Sequence, residues 1–268
     1  MRWTRLSPLM VADLEEENLD DVFRVCSHNR LDDPLQRRGI ELKRRWLLEM
    51  LAERGPCTKI AYLDGRPMAQ VLFYPEDAVP FLTDPRRGAV VLNCVYNPFP
   101  EVRGRGAGTA LLRSLMEECR TGLRCLGGGP CRFIVANPFN TGEGLSLDEF
   151  YVANGFKQGQ PGEMFLDISA QYKPRETSEY RALREDRGRA VMFFNPVCEW
   201  SYPFAIRVRE FLEEIDSDLP VELIDEWRNP EESVRRANQQ LVVNATPIRS
   251  FWTQREAFRR EVERALGR

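Results

Sequence analysis

The chain has 268 residues, of which 43% are apolar and 29% charged, an ordinary mixture for one large or two modest folded units rather than a disordered, fibrous or membrane-embedded chain. Thirty-eight basic residues against forty-one acidic ones leave a net charge of −3, with arginines interspersed among acids, so no basic stripe with interleaved aromatics points to nucleic acid. No stretch approaches the ~18 apolar residues of a membrane span, and MRWTRLSPLM lacks the apolar centre of a secretory signal, so a cytoplasmic protein without a membrane partner is expected.

In chain order, a helix is expected around Asp13 to Arg24 and a second over Pro34 to Arg54, where Leu35, Ile40, Leu42, Trp46, Leu47, Met50 and Leu51 build a broad apolar face. CTKIAYL and MAQVLFY flank Asp64-Gly65-Arg66-Pro67 and read as a hairpin. GAVVLNCVY, residues 88–96, reads as a strand buried on both faces, and Thr109 to Arg120 as an amphipathic helix. CRFIVAN (131–137) predicts a strand, SLDEFYVANGF (146–156) a short helix, and MFLDIS (164–169) another strand. Residues 171–188, QYKPRETSEYRALREDRG, are almost all polar or charged and read as a linker. Beyond it RAVMFFNP, PVELIDEW and PIRSFW read as strands, alternating with the helices YPFAIRVREFLEEI, PEESVRRANQQ and TQREAFRREVERAL, an α/β unit of its own. The expected organisation is therefore 1–170, a linker at 171–188, and 189–268.

The chemistry concentrates between the strand 88–96 and the helix that follows. VRGRGAGTALL, residues 102–112, carries three glycines and two arginines into a helix start. Bare first-turn amides, the helix dipole and glycines able to take positive φ together make an anion site, best matched to phosphate or pyrophosphate. A Walker loop is excluded because no lysine is present, and the dinucleotide fingerprint fails because position 109 is threonine.

Arg103-Gly104-Arg105-Gly106-Ala107-Gly108 matches R-x-x-G-x-G/A and resembles the coenzyme A pyrophosphate loop of the GNAT superfamily of N-acetyltransferases. Phe150-Tyr151-Val152-Ala153-Asn154-Gly155-Phe156 resembles that superfamily's second signature, and the order of elements is similar from about residue 10 to 170. The resemblance implies an α/β (α+β) fold with a mixed, largely antiparallel central sheet. It implies acetyl-CoA as cosubstrate, held by Arg103, Gly104, Arg105, Gly106, Ala107, Gly108 and Thr109, with Val95 and Tyr96 at the strand end beside the acyl group. It also implies acyl transfer to the primary amine of a small molecule or peptide, Tyr151 as general acid toward the departing thiolate, and a main-chain N–H near Val95 as oxyanion donor. The general base stays open: Asn93 and Cys94 are the inward positions of the strand, Glu76, Asp77, Glu101, Glu143 and Asp148 are acids nearby in sequence, and a water chain is an alternative. His28, the only histidine, reads as a loop or surface residue and excludes a histidine-rich metal site.

The seven cysteines, Cys26, Cys57, Cys94, Cys119, Cys125, Cys131 and Cys198, form neither a C-x-x-C pair nor a zinc-spaced cluster, so neither a disulfide framework nor a bound metal is expected. Cys198 stands near a helix N-terminus, with Ser201 where a dithiol site has its second cysteine. Together with Ala245-Thr246-Pro247 this resembles the thioredoxin superfamily, whose Thr-cis-Pro faces the active cysteine, although PIRSFW running straight into the last helix departs from the usual two-strand hairpin. The two parts together resemble the YoaP-like two-domain acetyltransferases. The competing functional reading is a thiol-dependent redox or thiol-binding protein centred on Cys198, its first part binding a CoA thioester without catalysis; a third is a non-catalytic scaffold.

Overall fold

The computed structural model describes residues 9–139, 146–176 and 178–268. They divide into two compact units: one comprises the residues through Leu31, Leu47–Ala78 and Pro85–Arg175, the other Asp32–Trp46, Val79–Asp84 and Glu176–Arg268.

The first unit is built on a seven-stranded sheet in the order β1-β2-β3-β4-β5-β7-β6. Its strands are β1 (Met10–Asp13), β2 (Thr58–Leu63), β3 (Arg66–Pro75), β4 (Ala89–Tyr96), β5 (Phe133–Ala136), β6 (Lys157–Gln158) and β7 (Met164–Asp167). All neighbours run antiparallel except β4 and β5. The helices α1 (Leu19–Cys26), α3 (Ala107–Thr121) and α4 (Leu147–Ala153) belong to this unit, and α2 (Pro34–Glu53) is divided between the two. Helix α3 presents Leu111, Leu112, Leu115 and Cys119 to the core, the i, i+1, i+4, i+8 spacing of one helical face. In the middle of the sheet Ile60, Val71, Phe73, Val90, Leu92 and Ile134 are buried.

The helix expected to begin at Asp13 starts later. Met10–Asp13 extends instead, pairing antiparallel with Lys59–Tyr62 at the edge of the sheet, and α1 begins at Leu19 after a turn in which Glu15 N–H donates to Asn18 Oδ1. A four-residue edge strand carries too short an alternation to stand out in sequence, and long-range pairing overrides local helix preference there.

The second unit has a four-stranded sheet in the order β11-β10-β8-β9, formed by β8 (Ala190–Phe194), β9 (Val221–Asp225), β10 (Leu241–Val243) and β11 (Thr246–Pro247). Strands β8 and β9 are parallel, while β10 is antiparallel to both β8 and β11. The helices are α5 (Ser201–Ile215), α6 (Pro230–Arg235) and α7 (Arg255–Leu266). Central β8 is buried along its whole length: Ala190, Met192 and Phe194 meet Ala205, Val208, Phe211, Phe258 and Val262 on one face, and Val191 and Phe193 pack with Ile224 on the other. PIRSFW is not a strand beyond Pro247, and β10–β11 is a two-strand hairpin, the element its sequence was expected to lack. The hairpin turns on Asn244 and Ala245, both at positive φ (46° and 57°), the conformation of a two-residue hairpin loop. No cis peptide bond occurs among the described residues, so the bond before Pro247 is trans, against the cis geometry expected from the Thr-Pro resemblance. Proline, which lacks a backbone N–H, suits β11 because the outer side of an edge strand has no neighbour that would need that donor.

The polar segment expected as a linker carries buried anchors. Tyr172 stacks on Phe165 with ring centroids 4.2 Å apart in the first unit. In the second, Asp186 is wholly buried and its carboxylate accepts from Arg236 Nη2 at 2.6 Å and Nε at 3.0 Å, and from Tyr180 Oη at 3.0 Å.

Candidate functional site

Strands β4 and β5 pair in parallel only from Ala89↔Phe133 to Leu92↔Ala136, whereas β4 continues against β3 to Tyr96↔Gln70. The register against β3 jumps from Phe73↔Leu92 to Leu72↔Cys94, so Asn93 is the extra residue of a bulge. A bulge bends its strand and increases the local twist, which turns the last half of β4 away from β5. Val95 and Cys94 lie on that turned end of β4, near Gly108 of the glycine loop and Tyr151 of α4. Asn93 Oδ1 accepts from Tyr74 Oη at 3.4 Å.

From β4 the chain passes through a 3₁₀ turn at Pro100–Val102 and into the glycine loop. Asn97 Nδ2 donates to Val102 O at 3.5 Å, and Arg103 Nη2 to Pro98 O at 3.4 Å, tying the loop back to the strand end. Gly104 and Gly106 hold φ of 71° and 77°, and a Cβ built on either meets nothing within 4 Å. Space does not require glycine here; the left-handed backbone does. The loop's turn is held by Arg105 N–H donating to Val102 O at 3.2 Å and Ala110 N–H to Gly106 O at 2.8 Å. Among the described residues, none of the N–H groups of Gly104, Gly106, Ala107, Gly108 and Thr109 reaches an acceptor. Five donors thus open at the positive end of a fifteen-residue helix, beside the exposed Arg103 and half-buried Arg105.

Gly108 has a different reason. A Cβ there would lie 3.4 Å from Val95 Cγ1 and from the Phe150 ring, so its bare backbone lets the first turn of α3 close on both the end of β4 and α4. Helix α4 presents Tyr151, which is 1% exposed, with the rings of Phe150 and Phe156 at 5.7 Å and 5.1 Å. Burial, and secondarily the neighbouring Cys94 thiol on β4, push the Tyr151 hydroxyl above its usual pKa. The loop, Val95, Cys94 and Tyr151 therefore share one locality.

The acids considered as bases are differently engaged. Glu76 is buried and accepts from Arg86 N at 2.7 Å, Nε at 2.8 Å and Nη2 at 2.6 Å; Arg86 also donates through Nη2 to buried Glu163 at 2.8 Å. Both lone-pair sets of Glu76 are spent on a guanidinium and an amide, which leaves it a structural ion-pair partner. Asp77 is exposed and lies 3.7 Å from Arg54, Glu101 and Asp148 are exposed, and Glu143 lies outside the described residues. His28 is exposed, its ring 5.1 Å from that of Phe99.

In the second unit Cys198 is half-buried in the loop between β8 and α5, three residues before the helix starts. Ser201 N–H donates to Cys198 O at 3.0 Å and Asn195 N–H to Ser201 Oγ at 3.0 Å, so the hydroxyl holds the turn. Glu226, beyond β9, accepts from Asn195 Nδ2 at 2.9 Å, and burial raises its carboxyl pKa. Thr246 is exposed on β11. Sequence reasoning missed the support beneath this loop: Lys43 of α2 and Glu199, both buried, form an ion pair at 3.1 Å. The one available signal was Gly39, a residue that weakens a helix unless something approaches closely. Among the described residues no group of three or more His, Cys, Asp and Glu side chains is arranged to hold a metal, and no helix is long and apolar enough to cross a membrane.

No protein-family model and no curated protein matches the chain. Solved structures do. The chain is similar to a GNAT family acetyltransferase from Brucella melitensis in complex with acetyl-CoA, at 15% identity and a TM-score of 0.42, over 63% of this chain and 94% of that one. It is similar to the ribosomal-protein-S18-alanine N-acetyltransferase from Escherichia coli at 14% identity and 0.41, over 63% and 99%. It is also similar to the PaiA N-acetyltransferase from Thermoplasma acidophilum in complex with coenzyme A, at 14% identity and a TM-score of 0.42, over 60% and 99%.

Proposed function

We propose that the first unit is an acetyl-CoA-dependent N-acetyltransferase, moving an acyl group from coenzyme A to a primary amine of a small molecule or peptide. One observation carries the reading: Gly104 and Gly106 at positive φ, with nothing within 4 Å of a Cβ on either, open five amide donors at the start of α3. A pyrophosphate suits that donor set, because its charge meets the helix dipole and several amides at once, each contact worth about 0.3–1 kcal/mol. Arg103 and Arg105 add cationic donors, and a Walker lysine and its metal chemistry have no counterpart in the loop.

The coenzyme supplies an activated thioester and a thiolate leaving group. The chain's own part follows from the geometry around β4. The bulged end of β4, at Val95 and Tyr96, offers main-chain groups for the thioester arm and for the oxyanion of the tetrahedral state. Tyr151, kept protonated by burial, gives its proton to the leaving thiolate. Asn93 and Cys94 are the side chains of β4 placed to orient the attacking amine or a water that takes its proton. The test is acyl transfer from acetyl-CoA to a panel of amines, read by thiol release. Transfer that falls in Tyr151→Phe and persists in Cys198→Ser supports the reading; the reverse pattern moves the active centre to Cys198.

For the second unit the proposal is a thioredoxin-like module, the pair of units being of the YoaP-like kind. It is supported by a β8-α5-β9 crossover with parallel strands, an antiparallel hairpin on the far side of β8 and a closing helix α7. With Ser201 in place of a second cysteine, a dithiol cycle is excluded and a positioning or monothiol role is left for Cys198.

A further inference from the structure

Four of the seven cysteines gather in one place in the first unit and are used by nothing described above. Cys57 precedes β2, Cys119 lies in the last turn of α3, Cys125 in the 3₁₀ turn Arg124–Leu126, and Cys131 just before β5; all are buried. Their contacts are pairwise. Cys131 N–H donates to Cys119 O at 2.9 Å, which fixes these two backbones side by side, and Cys131 S–H donates to Phe133 O at 3.2 Å. The Cys131 thiol is also the first cause of the raised Cys119 pKa, which makes the two side chains neighbours. In the second pair the Cys57 thiol donates to Gly55 O at 3.6 Å and neighbours that of Cys125, the first cause of its raised pKa. The approach of these two chain segments has independent support, since a Cβ on Gly55 would stand 3.6 Å from the carbonyl carbon and Cβ of Arg124.

We infer that these are two disulfide-forming sites, Cys57–Cys125 and Cys119–Cys131, which oxidants of the peroxide class convert into bridges. The direct N–H···O=C bond between Cys131 and Cys119 brings their backbones within the roughly 4.4–6.8 Å between Cα atoms that a disulfide spans, and the approach of Gly55 to Arg124 brings the other two segments together. No sulfur is shared, so both bridges are compatible. Simple core filling explains buried cysteines one at a time and gives no reason for cysteine to neighbour cysteine twice.

The reaction balances without a metal. A thiolate sulfur of one pair attacks a peroxide oxygen, the O–O bond breaks, and a sulfenic acid and water result. The partner thiolate then attacks that sulfur, the S–S bond forms, the S–O bond breaks, and hydroxide leaves to be protonated as the second water. Two thiols are oxidised and one peroxide is reduced. Cys57 and Cys119 are held protonated, by the partner thiol first and burial second, so reaction waits on opening of the surrounding structure. The segment that must open contains Gly127, Gly128 and Gly129, between Cys125 and Cys131. Once formed, the bridges tie the C-terminal end of α3 and the lead-in of β2 to their neighbours, at the opposite end of α3 from the glycine loop.

The test uses the full-length reduced protein, incubated with hydrogen peroxide and, separately, with diamide at mildly alkaline pH, then alkylated in denaturant and mapped without reduction. The expected map has Cys57 joined to Cys125 and Cys119 to Cys131, with Cys26, Cys94 and Cys198 alkylated and a melting temperature above that of the reduced protein. In Cys131→Ser, or Cys131→Ala should serine fail to fold, the Cys57–Cys125 bridge persists and Cys119 becomes alkylatable. The inference is overturned if all four remain thiols while the same oxidants bridge the denatured chain, if the peptides join in another pattern, or if the bridges link separate copies.

Discussion

Gly39 on α2 stands directly against the backbone of Glu199: a Cβ added to the glycine would lie 1.9 Å from the Glu199 carbonyl oxygen and 3.1 Å from Pro203 Cδ. Gln36 and Lys43 lie on the same helical face, Gln36 Nε2 donating to Glu199 O at 3.4 Å and Lys43 Nζ to its carboxylate at 3.1 Å. Three residues at i, i+3 and i+7 thus hold the chain next to Cys198.

Gly39→Ala is expected to destabilise the protein by about 2 kcal/mol in denaturant unfolding. Alanine gains about 1 kcal/mol of helix propensity, but the overlap with backbone atoms forces a local shift whose cost exceeds it. A more stable Gly39→Ala variant would mean that the approach of α2 to Glu199 is looser than this.

How far the sequence carries can be judged from such contacts. The strand, glycine loop and helix around Gly106 were legible because all three signals are local: an apolar run, residues that permit positive φ, and helical periodicity. The division of the chain was not. Asp32–Trp46 belong to the second unit although they sit within the first 170 residues, and Asp186 is a buried ion-pair partner within a segment whose composition reads as a linker. Both depend on partners far away in sequence, Glu199 and Arg236, which periodicity does not register. The cysteine pairs were hidden in the same way, since an odd count and the lack of C-x-x-C spacing speak only of neighbours along the chain.

Arg236→Leu leaves Asp186 buried without its main partner and is expected to cost about 3–5 kcal/mol. The acid side has a defined sign. Burial alone would raise the Asp186 pKa, but the hydrogen bonds from Arg236 and Tyr180 hold it below the ordinary 3.8. A depressed carboxyl contributes stability above its unfolded pKa and loses it as pH falls through the folded one, so wild-type stability should drop below about pH 4. An acid titration in which wild type and Arg236→Leu lose stability in parallel would contradict this.

Tyr151→Phe is expected to lower kcat for acyl transfer by roughly 10²–10⁴-fold with little change in acetyl-CoA affinity, because only the proton for the leaving thiolate is removed. Since the hydroxyl is held above its usual pKa of 10, the wild-type rate should show no alkaline decline from this group below about pH 10. A decline near neutral pH that disappears in Tyr151→Phe would contradict that assignment.

Ala245 adopts φ 57° at the β10–β11 turn, a conformation costly for any residue with a Cβ. Ala245→Gly should stabilise the protein by about 0.5–1 kcal/mol, the relief of strain exceeding the added freedom of the unfolded chain. Thermal melts of the two proteins decide it, and a lower melting temperature for the glycine variant would contradict the turn geometry.

Calorimetric titration of the full-length protein with acetyl-CoA, beside a Gly106→Glu variant verified as folded by its circular dichroism and melting, addresses the glycine loop itself. Glutamate there places an anion and a Cβ on a backbone at φ 77°. Saturable binding by the wild type, weakened at least about a hundredfold in the variant, or roughly 2.7 kcal/mol, is the predicted result. No binding by the wild type, or equal binding by both proteins, would contradict the assignment of the loop to coenzyme A.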